Sequence, residues 1–184
     1  MTFSAACGTS SDHRFAYSRN VSDEYKLLAE QDEETARFLK ENKQFRHSIY
    51  FFIQAMEKYI RAKIFKFVNP NLEYFRKMNQ NHSLTKAIDF LIEVLSNDNN
   101  LKNQIRNQLD QYVFEGINFQ YLHNNLRYPF YSEQYNNYSI IEYDINDCVF
   151  IENKNERLKN GYLILTDYNK YRNYVMVCFE LLKK

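Results

Sequence analysis

The clearest pattern along the chain is an apolar residue at every third or fourth position between about residues 46 and 68. The positions that would share one helical face are Ile49, Phe52, Ile53, Met56, Ile60, Ile64 and Phe67. This spacing is typical of an amphipathic helix, which Asn69-Pro70-Asn71 would end. We therefore expect a long helix at the centre of a helical bundle.

Weaker apolar stripes predict a helix before this one and a short helix after it. The earlier helix runs from residue 23 to about residue 42, because Ser22 can cap it and Asp23 and Glu24 suit its first turn. A short helical segment is expected at 72–77. The residues of the first helix that would face inward are Tyr25, Leu28, Ala29, Ala36 and Leu39.

Local signals place three further helices. Ser83 and Asp98 are suitable N-caps for the first two, and Gly116 suits the left-handed position after the second. The third must end before Pro129, because a residue that precedes proline avoids helical geometry.

The pattern changes between residues 130 and 165. Short runs of β-branched and aromatic residues at 139–143 and 148–151 predict two strands, with a turn at 144–147. We expect them to form a small β-hairpin.

The end of the chain is predicted to return to helix. A polar loop at 154–161 and a third strand at 162–165 would precede a last helix that begins at Thr166. Its inward residues would be Tyr168, Tyr171, Val175, Cys178, Phe179 and Leu182.

Composition favours one domain with long regular elements. The 184 residues include three Gly and two Pro against 16 Tyr and 15 Phe, and this length can bury a core without disulfides or metal. We expect residues 1–20 to be a flexible arm and residues 21–184 to be a single domain, with an insertion at about 130–165.

Charge and cysteine content exclude several classes of function. The formal net charge of +1 leaves no global field that would recruit nucleic acid, and no apolar run approaches the length of about 20 residues that spans a bilayer. Cys7, Cys148 and Cys178 are odd in number and far apart, which favours a reducing cytoplasm over a disulfide framework. Scattered histidines and glycines predict no metal and no cofactor.

Three segments, taken in order, resemble a known family. They are Gln-Ala-Met-Glu-Lys at 54–58, His82-Ser83-Leu84, and Leu-Arg-Tyr-Pro at 126–129. With a closing tyrosine-rich helix, they resemble the HEPN domain family over residues 22–129 and 166–184. The resemblance implies an all-α, up-and-down bundle of four or five helices, here with a small β-hairpin insertion, that usually forms a homodimer.

The resemblance also implies a range of functions. Many HEPN members are endoribonucleases of toxin and defence systems, some pair with nucleotidyltransferases, and others bind nucleotides. The ribonucleases carry an arginine followed, after four to six residues, by a histidine. Arg127 occupies the late position, but no histidine follows it in this chain. Arg76 and His82 match the spacing, although they precede a helix instead of lying late in the bundle.

His123 and Arg127 are the candidate catalytic residues, because residues four apart share a helical face. Histidine can move a proton from the ribose hydroxyl, and arginine can stabilise charge on the phosphate. The alternative is a surface histidine beside an arginine that pairs with an acid such as Glu57.

Lys58, Arg61, Arg127 and Tyr128 are the candidate nucleotide-binding residues. Lys58 and Arg61 would share a polar face of the central helix with Gln54 and could contact an anion. The alternative is that this face lies in a dimer interface or in solvent, and that Tyr128 only packs where the chain leaves its helix.

Three hypotheses follow. In the first, the chain is a dimeric HEPN-like module of a toxin–antitoxin or defence system that binds a nucleotide, RNA or a partner such as a nucleotidyltransferase-type protein. In the second, it is a metal-independent endoribonuclease toxin. In the third, it is a structural subunit whose hairpin adds a strand to another protein.

Overall fold

The computed structural model describes residues 20–80 and 82–160, which fold mainly into helices. The elements, in chain order, are α1 (Val21–Glu41), α2 (Phe45–Ile64), α3 (Glu73–Asn79), α4 (Leu84–Leu95), α5 (Asn99–Leu109), a π-helical turn (Asp110–Phe114), α6 (Phe119–Arg127), β1 (Phe130–Ser132), β2 (Asn137–Ser139) and α7 (Ile145–Asn160). The predicted all-α class with one small hairpin is confirmed.

Helix α2 is central, as its apolar pattern predicts. It packs against α1, α4, α6 and α7, and six of the seven predicted stripe residues are buried in the main core. Phe67 lies beyond the end of the helix and is largely exposed. A helix surrounded on this many sides holds its polar residues at fixed positions relative to several neighbours.

Helix α1 packs on α2 through small residues. Ala29 and Ala36 are fully buried there, which lets the two backbones approach closely. The prediction that Leu28 faces inward is wrong. The buried face is set by Ala29, Glu33 and Ala36, and a residue one position earlier lies about 100° away around the helix.

Of the predicted caps, Asp98 is confirmed, while Ser83 precedes α4 without a capping hydrogen bond from its side chain. The side chain of Asp98 accepts a hydrogen bond of 2.8 Å from the amide of Asn100 at the start of α5. Gly116 has a positive φ of 77°, and Glu115 before it is also left-handed. The chain therefore leaves the π-helical turn through two consecutive left-handed residues. Helix α6 ends at Arg127, two residues before Pro129.

The predicted strands at 139–143 and 148–151 are wrong. The hairpin lies earlier in the chain, where Phe130 pairs with Ser139 and Ser132 pairs with Asn137 in an antiparallel register. A four-residue loop joins the strands, and Asn136 has the positive φ that asparagine tolerates better than most residues.

Residues 145–160 form α7 instead of a strand and a polar loop. Asp144 and Asp147 cap its start reciprocally: the amide of Asp147 donates to the Asp144 carboxylate at 3.1 Å, and the amide of Asp144 donates to Asp147 at 3.0 Å. Cys148 and Ile151 are buried in the core that α2 centres. Cys148 Sγ lies 2.9 Å from Ser48 Oγ.

A network of charged residues joins the far end of α7 to α1. The buried carboxylate of Glu33 accepts hydrogen bonds from Tyr59 at 2.6 Å and from Lys159 at 2.9 Å, and it pairs with Arg37 at 2.6 Å. Arg37 also pairs with Glu156 at 2.5 Å. These contacts tie α1, α2 and α7 together.

Several predictions fall on residues outside the described ranges. They are the arm before residue 20, the strand at 162–165 and the last helix from Thr166. The division into an arm and a single domain with an insertion stays a prediction.

Candidate functional site

Polar side chains of α2 lie along one face of the helix, on the side of α6 and of the loop before α4. Their steps of four, three and four keep them on that face. These residues are Tyr50, Gln54, Glu57 and Arg61. Tyr50 and Gln54 contact His123 of α6, and Glu57 lies near His82 in the loop before α4.

His123 of α6 packs against this face. Its ring stacks on Tyr50, and its Nε2 lies 3.2 Å from the amide nitrogen of Gln54. An amide nitrogen can only donate, so Nε2 accepts this hydrogen bond and the neutral ring carries its proton on Nδ1. Burial lowers the pKa of His123, and the charge of Arg127 lowers it further against the opposing effect of Glu57. The ring is therefore neutral at pH 7.

Arg61 lies inside the protein, where it joins α2 to α3. Its side chain is 1% exposed, and its Nε donates to Glu57 Oε1 at 2.9 Å. Its Nη1 donates to the carbonyl and the side-chain oxygen of Asn79, and Asn79 in turn donates to the hydroxyl of Tyr25 at 2.7 Å. The guanidinium thus has acceptors within the chain on two sides.

Lys58 is four residues after Gln54 and three before Arg61, but its side chain is directed to α1. It forms an ion pair with Asp32, and both side chains are mostly buried. The three residues predicted to share a polar face, Gln54, Lys58 and Arg61, therefore have partners on different elements. That Lys58 and Arg61 bind a nucleotide stays a prediction, although both have partners within the chain.

His82 lies at the opposite end of the polar face. Its exposed ring places Nδ1 3.7 Å from Glu57 Oε1. The next residue, Ser83, donates a hydrogen bond of 3.0 Å to Gln120, which ties the start of α4 to α6. Glu57 is therefore near His82 and also acts on the charge of His123. Arg76 is exposed on α3.

Arg127 and Tyr128 lie exposed where α6 ends. Nη2 of Arg127 donates to the hydroxyl of Tyr128 at 2.7 Å, and the guanidinium carbon is 4.9 Å from the centre of the ring. This pair follows His123 by about one helical turn. The structure pairs Arg127 with Tyr128 one helical turn after His123, while Lys58 and Arg61 lie elsewhere on α2.

Arg46 is a residue of this region that sequence reasoning missed. Its Nε donates to the carbonyl of Leu126 at 2.7 Å, and its Nη2 donates to the carbonyl of Asn125 at 2.9 Å. It therefore satisfies the free carbonyls at the C-terminal end of α6 and holds the Arg127 segment against α2. The partners are about 80 residues apart in sequence, so no local signal could have revealed them.

The ranges that the structure describes contain no group of three His, Cys, Asp or Glu residues that could hold a metal ion. In the same part of the chain, no helix combines the length and the apolar character needed to cross a membrane.

A family model for the HEPN domain matches residues 23–142. The chain belongs to the HEPN domain family. The matched range begins two residues into α1, covers α2 to α6 and both strands, and ends just before α7. No curated protein and no solved structure matches the chain.

Membership of the HEPN family makes this chain a helical module related to nucleotide or RNA function. The matched range contains the polar face of α2, both histidines beside it, and Arg127. The site described above thus lies within the HEPN domain itself.

Proposed function

We propose that this HEPN chain binds a nucleotide or RNA at the end of α6 and does not cleave it. The observation that carries the proposal is the exposed pair of Arg127 and Tyr128 beside the neutral ring of His123. A nucleotide presents a phosphate next to a flat base, and a guanidinium next to an exposed ring suits both.

The environment of His123 argues against cleavage. A general base must accept a proton from the ribose hydroxyl through a free ring nitrogen. Here Nε2 accepts from Gln54, and Nδ1 already carries the proton. One face of the ring is also covered by Tyr50. The absence of a histidine after Arg127 in the sequence supports the same conclusion.

The test compares RNA binding and RNA cleavage in one series of proteins. Wild-type protein is expected to bind a labelled oligonucleotide and leave it intact. Arg127→Ala should weaken binding by about tenfold or more, because a hydrogen bond to a charged group contributes about 1.5–3 kcal/mol. Arg106→Ala removes a surface arginine of α5 that pairs with Asp89, and it should leave binding unchanged.

Two outcomes would overturn the proposal. One is RNA cleavage by the wild type that is lost in Arg127→Ala. The other is the absence of binding to any nucleotide or RNA by the wild-type protein.

The assembly is part of the same proposal. HEPN domains often dimerise, and we infer a cytoplasmic homodimer that works in a toxin–antitoxin or defence system, with a nucleotidyltransferase-type protein as partner. Light scattering on the purified chain measures the dimer directly. Co-purification with a nucleotidyltransferase expressed from a neighbouring gene measures the partnership, and a monomer with no such partner would contradict this part.

The alternative function is a metal-independent endoribonuclease, and the position of Glu57 favours it. A carboxylate beside an imidazole is a common feature of acid–base sites. Glu57 lies 3.7 Å from His82 and acts electrostatically on His123. The candidate pairs are then His123 with Arg127, and His82 with Arg76. If the wild type does not cleave RNA, this alternative fails. If the wild type and all four single alanine variants cleave RNA equally, these two pairs are not the catalytic residues.

A further inference from the structure

Exposed tyrosines are concentrated where α6 passes into the hairpin. We call residues 128–139 the tyrosine hairpin. Its four tyrosines, each between 49% and 71% exposed, are Tyr128, Tyr131, Tyr135 and Tyr138. Four large rings in water within so short a segment form an aromatic surface that the bundle itself does not use.

The hairpin orders these rings. Tyr131 and Tyr138 are directly opposite in the strand register, so they project from the same face. Their ring centroids are 5.4 Å apart, in an edge-to-face arrangement. The hydroxyl of Tyr131 also donates to the side chain of Asn136 in the loop. The two rings are therefore held in place before any ligand arrives, which reduces the entropy lost on binding.

The chemistry of the tyrosine hairpin suits nucleobases better than phosphates. Glu133 is its one charged residue, and the residues between the tyrosines are mostly Ser, Asn and Gln. Aromatic rings stack on bases of any sequence, while amides and hydroxyls can hydrogen-bond to base edges. The bases must be unpaired, since only splayed bases expose their faces.

Positive charge lies beside the open end of the tyrosine hairpin, where β1 begins and β2 ends. Arg127 precedes it directly. The segment that follows β2 lines a cavity of about 410 Å³ together with the turn before α2 and the start of α2. Lys43 and Arg46 are the cations in the wall of this cavity, and Glu142 is the acid. A polyanion whose bases lie on the rings would find cations for its phosphates at this end.

We propose that the tyrosine hairpin is a base-stacking platform for single-stranded RNA, with Tyr131 and Tyr138 as its central rings and with Arg127 and Lys43 as phosphate contacts at its open end. This inference rests on the proposed function and deepens it, because it names unpaired RNA as the ligand class and extends the site beyond α6.

The experiment measures binding of full-length protein to a labelled single-stranded oligoadenylate of about 12 nucleotides. Tyr131→Ala with Tyr138→Ala should weaken binding roughly 5- to 100-fold, as expected when a base loses its aromatic partner. Tyr131→Phe with Tyr138→Phe keeps both rings and should bind within about twofold of wild type. Tyr74→Ala removes an exposed tyrosine of α3 and should have no effect.

The dependence on salt separates stacking from charge. Arg127→Ala should reduce the slope of log affinity against log salt by about 1, whereas the double alanine variant should keep the wild-type slope. A duplex of the same length should bind much more weakly than the single strand.

A measurement on the wild-type protein does not depend on whether the variants fold. Photo-crosslinking of a thiouridine-containing oligonucleotide, followed by mass spectrometry, should modify Tyr131 or Tyr138. If wild type binds single-stranded RNA but crosslinks elsewhere, or if the double alanine variant binds equally well, the platform is wrong and the proposed function stands. If wild type binds no nucleotide or RNA, both fail. Equal affinity for duplex, or binding only to a protein, also overturns the platform.

Discussion

The imidazole ring of His123 stacks on the phenol ring of Tyr50, with centroids 5.4 Å apart and ring planes 12° from parallel. Burial and the charge of Arg127 lower the pKa of His123 below 6.5. The unfolded chain then takes up a proton more readily than the folded protein. The stability contributed by the neutral ring is complete above the unfolded pKa of about 6.5 and is lost as the pH falls through the folded pKa.

We predict that His123→Phe removes this part of the pH dependence while it keeps a ring against Tyr50. Free energies of unfolding in urea, measured between about pH 8 and pH 5, should fall less steeply for the variant than for wild type. His47→Gln removes an exposed histidine and is measured beside it for comparison. Identical slopes for His123→Phe and wild type would show that the ring is not buried as described.

Glu33 is predicted to be the critical acid of the α1–α7 contact. Glu33→Ala leaves the hydroxyl of Tyr59 and two cations without their shared acceptor, so it should lower the free energy of unfolding by about 3 kcal/mol. Partial exposure of Arg37 and Lys159 keeps the loss at the lower end of the range for buried pairs. Glu34→Ala, at an exposed position of the same helix, is the control and should change stability by less than about 0.5 kcal/mol.

The stability that Glu33 contributes is also predicted to depend on pH. Burial raises the pKa of Glu33, but hydrogen bonds from Tyr59 and Lys159 outweigh it and leave the pKa below 4.5. The stabilisation is therefore present above the unfolded pKa and is lost as the pH falls through the folded pKa. The difference between wild type and Glu33→Ala should shrink in acid. A constant difference from neutral pH to acid would contradict the network.

Arg61 is predicted to be structural. Arg61→Ala leaves Glu57 buried without its partner and should lower the free energy of unfolding by about 3–5 kcal/mol. Arg61→Lys should not restore stability, because an ammonium cannot reach both Glu57 and Asn79 as the guanidinium does. Arg76→Ala is the exposed control. Full stability of Arg61→Ala in urea unfolding would indicate that Arg61 is available for a ligand after all.

Cys148 is predicted to be protected from thiol reagents in the folded protein. It is fully buried, and burial raises the pKa of its thiol, so little thiolate is present to react. In a Cys7→Ser, Cys178→Ser background, labelling should occur at the rate of global opening and speed up in urea. Rapid labelling in buffer would contradict the position of α7, because a strand at 148–151 would leave alternate residues exposed.

The error over residues 145–160 has a physical reason. The apolar residues Val149, Phe150 and Ile151 are adjacent, and such a short run does not distinguish strand from helix. The buried face of α7 also includes Lys154 and Asn155, which no apolar stripe would reveal. One usable signal was present, since Asp144 and Asp147 have the spacing of a capping box.

The candidate site also combines features that the sequence predicted with features that depend on tertiary contacts. Spacing alone placed His123 and Arg127 on one face, since a helix holds residues four apart together. Spacing also grouped Lys58 with Arg61, but the partners of the two side chains differ. Lys58 pairs with Asp32 of α1, and Arg61 donates to Asn79 of α3. Which cation remains exposed depends on helices that local periodicity does not describe.

The sequence by itself determined that α2 is a long central helix and that α6 ends before Pro129, because periodicity and backbone sterics act over a few residues. It also carried the family resemblance. Only the tertiary structure decided that Cys148 faces α2, that Arg61 is buried, and that His123 meets Gln54 and Tyr50. These contacts join residues far apart in sequence, and burial against a particular neighbour, not local propensity, selects them.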